Sequence, residues 1–166
     1  MFRNKIKKDV PIEEVENIIG SVLQDRNRFI NYGEVSQGNI YISVPIMSLF
    51  AVDKEAVAFE FDILALSCLF TVFNAHEISK DVYTKALGLV MENFGLSDES
   101  MNEMYEALIG YDGKNEKGVA DHLFDRLTNE GLASNYKLES TKLLSKTVKN
   151  LINNLDNWIT KWLNLV

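Results

Sequence analysis

One stretch limits the fold of this chain more than any other. From Asp53 to about Ala75 a helical wheel is apolar on nearly every side. Ala56, Phe59, Ile63, Leu66, Phe70 and Phe73 follow at spacings of three and four, and Val57, Phe61, Leu64, Cys68 and Val72 make a second row. A helix with two such rows has no broad face to give to water, so other elements must cover it. Its polar residues Asp53, Glu60, Ser67 and Asn74 recur every seven positions as a narrow stripe. The segment therefore reads as the central helix of a bundle.

The flanking sequence supplies amphipathic helices to surround it. Asp9 is the expected N-cap of a first helix, with Pro11 and three glutamates in the opening turns and an apolar face of Ile12, Val15, Ile18, Ile19, Val22 and Leu23. That helix is expected to stop near residues 25–28. A second runs from Ser79 to Asn93 and ends at Gly95. Ser97, Asp98 and Glu99 cap a third, whose stripe is Met101, Met104, Tyr105, Leu108 and Ile109. After a polar loop from Gly110 to Gly118, a fourth buries Val119, Ala120, Leu123, Phe124 and Leu127 and stops at Gly131. The last runs from about Glu139 to the end. Its residues Leu144, Val148, Leu151, Leu155, Trp158, Trp162 and Leu165 form an apolar seam with the three-and-four spacing of heptads.

Residues 29–44 break the helical pattern. Ile40, Ile42 and Val44 alternate with Tyr41 and Ser43, the period of a strand, and Ser36-Gln37-Gly38-Asn39 supplies turn residues. A short β-hairpin near 29–44 is one reading, and an irregular loop before a helix starting at Pro45 is the other. The fold class is thus mainly α: about six helices in a compact bundle around the helix at 53–75. Residues 1–166 are expected to be one helical domain, with 1–8 a basic N-terminal tail.

Charge narrows the function classes. The 166 residues carry a net charge of −7, unevenly spread. Residues 53–130 hold six basic and sixteen acidic residues, a net of −10. Such a surface does not grip a phosphate backbone, so nucleic acid is not an expected partner. It suits a basic protein partner, or simply solubility. The basic start MFRNKIKK runs into Asp9, Pro11 and Glu13 rather than an apolar core, so no secretory leader is expected. The uncharged run at 35–52 contains Gln37, Gly38, Asn39 and Pro45, and the run from Ile63 to His76 is too short for a hydrocarbon core of about 30 Å. With one cysteine there is no disulfide framework, and the cytoplasm is the expected compartment.

Catalytic motifs are missing. No phosphate loop or nucleophile elbow is present. His76-Glu77 lacks the second histidine of a zincin helix, since position 80 is Lys80. The loop at Asp112 has Lys114 and Lys117 where a calcium loop needs an acceptor and a glycine. Cys68 lies in the apolar helix and reads as a core residue. Asp62 falls off the polar stripe, so it is either a buried carboxylate or part of an exposed helix start. If folding gathered them, His76, Glu77, Asp121, His122 and Asp125 would make an N/O metal site for a small metal-dependent hydrolase.

The sequence favours a non-enzymatic interaction or regulatory protein with no cofactor, an acidic inhibitor or immunity-type binder being one form of it. Its expected docking surface is the terminal seam of Leu144, Val148, Leu151, Leu155, Trp158 and Trp162, with a protein partner or a second copy of the chain as occupant. Packing of the same seam inside the chain is the competing reading. A further alternative is peripheral membrane binding through residues 1–8 and the C-terminal helix.

Overall fold

The structure, a computed structural model, describes residues 9–24, 30–32, 40–42, 54–129 and 137–165, with side chains described for 9–24, 59–127 and 141–164. Among the described residues there are six helices and two short strands: α1 (Ile12–Gln24), β1 (Ile30–Tyr32), β2 (Ile40–Ile42), α2 (Lys54–Ala75), α3 (Lys80–Asn93), α4 (Asp98–Ile109), α5 (Glu116–Asn129) and α6 (Lys137–Leu165).

Helix α2 is the hub. It touches α1, α3, α4, α5 and α6. Between Phe59 and Ala75 only Thr71 and Asn74 are exposed, while Phe61, Ile63, Leu64, Leu66, Leu69, Val72 and Phe73 carry no exposed surface. Two helix pairs close around it: α1 lies along α3, and α6 lies along α5. Val15, Ile18 and Ile19 of α1 and Leu144, Val148, Leu151 and Leu155 of α6 are wholly buried in the same core. The burial of so much apolar surface on one helix is the main stabilising term of the fold.

Local chemistry sets the helix ends. The hydroxyl oxygens of Ser79 and Ser97 accept from the amides of Val82 and Ser100, at 3.3 and 3.2 Å, and cap α3 and α4. Asn115 does the same for α5 through its side-chain oxygen and the Gly118 amide at 2.9 Å, so that helix starts inside the expected loop. Helix α3 ends in a Schellman turn. Gly95, at φ 72°, donates to the Glu92 carbonyl while Leu96 donates to Met91. The same turn ends α2, but with Glu77 at φ 63° in the glycine position. Helix α1 begins later than Asp9 predicts: the Pro11 carbonyl accepts from Glu14 and Val15, so the chain enters the helix at Ile12.

The strands correct one expectation. Ile30, Asn31 and Tyr32 pair with Ile40, Tyr41 and Ile42 in parallel, whereas a hairpin pairs antiparallel. Alternation marks a strand but carries no information on its direction. Strand β2 lies against α6. The tail at 1–8, the helix stop at 25–28, the turn at 36–39, the helix start at Pro45, the cap at Asp53 and the stop at Gly131 lie outside the described residues.

Candidate functional site

The polar stripe on α2 leads to the site. Glu60 is its first described residue and is buried, with 3% of its surface exposed. Arg126 of α5 answers it in a two-pronged ion pair, Nε to Oε2 at 2.7 Å and Nη2 to Oε1 at 2.8 Å. Two parallel charge-assisted bonds satisfy both carboxylate oxygens, which is what lets a charge stay in a core helix. Asp62, the carboxylate that the sequence singles out, is only half-buried.

Further along the stripe, Ser67 and Asn74 face a cleft of about 620 Å³ between α2, α3, α4 and the α4–α5 turn. Its floor is aromatic. Phe70 stacks on Tyr83 with ring centroids 4.4 Å apart and planes at 26°. The Tyr83 hydroxyl donates to Asn74 Oδ1 at 3.0 Å, which fixes that ring. Tyr105 and Ile109 of α4 form the opposite wall, and Ile109 is 72% exposed at the rim. Burial pushes the Tyr83 and Tyr105 phenols up, so both stay neutral and able to donate. Volume, apolar lining and a few convergent polar groups are the usual attributes of a binding site.

The end wall is the α4–α5 turn, which brings Tyr111, Asp112 and Lys114 to the cleft. Lys80 Nζ donates to Asp112 Oδ2 at 2.8 Å and so ties α3 to this turn across the mouth. Beneath it, His122 of α5 presses edge-on against Tyr111, centroids 4.6 Å apart at 89°. Its Nε2 is buried, as is the Tyr111 hydroxyl, and neither has a hydrogen-bond partner among the described residues. A methyl group on Gly110 would stand 2.4 Å from that nitrogen, so glycine is what lets the turn rest on the ring. Gly110 itself has φ −60°, which alanine adopts freely. Gly110→Ala is therefore expected to cost about 1–3 kcal/mol through overpacking alone. Combined with His122→Ala it is expected to cost nothing further, as read from urea midpoints of the four proteins in the cycle.

The hydrolase residues do not converge. His76, whose side chain is fully buried, meets Asp156 of α6 with Nε2 and Oδ1 2.5 Å apart. Glu77 and Asp125 are exposed, Asp121 is half-buried, and His122 rests under the α4–α5 turn. Among the described residues no group of three histidine, cysteine or acidic side chains is placed to hold a metal. Burial pushes the Cys68 thiol up to about 12, which keeps it protonated and unreactive.

The terminal seam is largely internal. Leu144, Val148, Leu151 and Leu155 have no exposed surface, so another helix reaches them only by displacing the chain's own. Trp158 and Trp162 are half-buried at the edge of the core, their rings 5.0 Å apart and nearly perpendicular. Trp162 Nε1 donates to Glu14 Oε2 of α1 at 3.3 Å.

No family model matches the chain, and neither a curated protein nor a solved structure matches it. Among the described residues no helix is long and apolar enough to cross a membrane.

Proposed function

We propose that this protein is a non-enzymatic binding protein that takes a basic segment of a protein partner at the α2–α3–α4 cleft. The observation that carries the reading is an open aromatic cleft walled on one side by an acidic helix; the charged residues that line the cleft itself are Lys80, Asp112 and Lys114. Helix α4 forms one wall of the cleft, and its outer side holds Asp98, Glu99, Glu103 and Glu106, all exposed, with no basic residue on the helix. An apolar anchor fits between Phe70, Tyr83, Tyr105 and Ile109, and partner lysines or arginines that reach over α4 meet the carboxylates on its outer side. The interaction class is the one the composition favours, but the surface is moved. The aliphatic part of the α6 seam is already covered, whereas the cleft is open.

A fluorescent amphipathic peptide of lysine and leucine with one tryptophan tests the proposal. It is expected to bind at least ten-fold more tightly than its glutamate-for-lysine counterpart, and to weaken as salt rises. Ile109→Ser and the pair Glu103→Gln/Glu106→Gln are each expected to lower affinity by about five- to ten-fold, or roughly 1–1.4 kcal/mol. Amide shifts in NMR spectra are expected to gather at residues 67–74, 80–87 and 105–114. Shifts gathering around Trp158 and Trp162, self-association that excludes the peptide, or equal affinity for both peptides overturns it.

A further inference from the structure

The chain has two histidines, and they are held in opposite ways. His76 has a carboxylate against its ring nitrogen, while His122 has the backbone of a turn. The His122 Nε2 atom lies so close to Gly110 that not even a methyl group fits between them, and no described acceptor reaches it. A lone pair tolerates that place, because it brings no hydrogen and no charge. A proton does not: it adds an N–H at an atom that solvent does not reach and that no described acceptor meets.

What rests on the ring is the end wall of the cleft. Gly110 and Tyr111 pack directly on the imidazole, and Tyr111, Asp112 and Lys114 line the cleft in the same turn. Across the mouth the turn is tied to α3 by the exposed Lys80–Asp112 pair, which water and salt screen. Its own hydrogen bonds are few: Tyr111, Asp112 and Lys114 donate to the carbonyls of Leu108, Ile109 and Tyr111.

We infer that His122 is an acid-sensitive prop, whose protonation lifts the α4–α5 turn and takes apart one wall of the cleft. Regulation of partner capture by this route rests on the binding role proposed above, whereas the movement of the turn does not.

The charges around the ring support the direction. Lys114 faces it from the turn, Arg126 and Asp125 from α5, and Glu60 from α2, while Tyr111 presents a phenol that burial keeps neutral. Burial lowers the His122 pKa from its ordinary 6.5, Lys114 and Arg126 push the same way, and Asp125 and Glu60 oppose them. A histidine with a folded-state pKa below 6.5 stabilises the closed turn fully above pH 6.5 and loses that stabilisation as pH falls through the lower value.

The free full-length protein tests the prop without any partner. Imidazole carbon shifts are expected to place the His122 titration below 6.5. Over the same pH range, amide exchange at residues 111, 112 and 114, corrected for the intrinsic rate, is expected to accelerate at least ten-fold, while Leu66 and Leu69 of α2 stay protected. In His122→Gln the acceleration is expected to vanish. A wild-type turn that keeps its protection while His122 titrates overturns the inference, and so does a His122→Gln protein that still opens with acid. The lysine–leucine peptide then reads the regulation. Its affinity is expected to fall at least ten-fold from pH 7.5 to pH 5.5 in wild type and to stay level in His122→Gln. A peptide that binds neither protein counts against the binding role alone, because exchange has already judged the prop.

Discussion

Phe73→Ala is expected to remove about 3–5 kcal/mol of folding stability, a large part of the roughly 5–15 kcal/mol that a domain usually has. Phe73 has no exposed surface and sits on α2, the helix that every other described helix touches. Deleting its ring leaves a void that several elements border, and five partners bracing one helix cannot all move in to fill it. The ring also flanks Tyr83, 5.7 Å away centroid to centroid, and Tyr83 stacks on Phe70 in the cleft floor. Loss of stability is therefore expected to come with loss of peptide binding, even at temperatures where the variant stays folded. Phe73→Leu, which keeps most of the volume, is expected to cost only about 1–1.5 kcal/mol. Leu143→Ala provides the contrast: that side chain on α6 is 36% exposed, and the expected change is below about 1 kcal/mol. Urea unfolding checks all three. A Phe73→Ala protein within 1 kcal/mol of wild type would mean that α2 is not the centre of the packing.

The central role of α2 was legible in the sequence because burial on all sides leaves a signature within a single segment. Caps were legible for the same reason. Ser97 and Gly95 act on atoms three residues away, and the structure places each where the pattern put it, while Ser79, read as the start of its helix, is its cap. The rest depended on residues far apart in the chain. The parallel direction of β1 and β2 is not written in their alternation. Asp62 drew notice as a lone carboxylate among apolar neighbours, yet the buried acid among the described residues of α2 is Glu60, and its partner lies 66 positions away. The seven-residue stripe of Glu60, Ser67 and Asn74, read in the sequence only as the narrow polar side of a central helix, runs past Arg126 and the cleft. A polar line on an otherwise covered helix must face a polar partner or an opening, and here it faces Arg126 and then the cleft. The seam of α6 was ambiguous because a heptad pattern states that a face is covered, not by whom, and here the chain's own core covers its aliphatic part. The cleft itself takes three helices and a turn to build, so no one segment announces it. Gly110 and His122 show the limit most simply: their fit at 2.4 Å follows from how α4 turns into α5, and nothing in twelve residues of sequence reports it.

Arg126→Met is the other change of large expected effect, at about 3 kcal/mol. Removing one member of a buried ion pair leaves the other charged and unsolvated, a loss commonly of about 3–5 kcal/mol. The Arg126 side chain is 26% exposed, so the cost falls at the low end of that range. Glu60→Leu alone is expected to be milder, because the arginine it strands can turn toward water. The double variant Glu60→Leu/Arg126→Met is expected to recover most of the loss, since two apolar side chains of similar size can fill the same contact between α2 and α5. That coupling, read from urea midpoints of the four proteins, separates a structural pair from a binding one. Arg126 lies one helical turn beyond His122 on α5, and both charges of the pair act on the imidazole beneath the α4–α5 turn. Arg126→Met is thus expected to loosen residues 110–114 at neutral pH, and the double variant to restore their protection along with stability. Full additivity of the two single changes would show that Glu60 and Arg126 do not act on each other, and would leave the burial of Glu60 without a compensating charge.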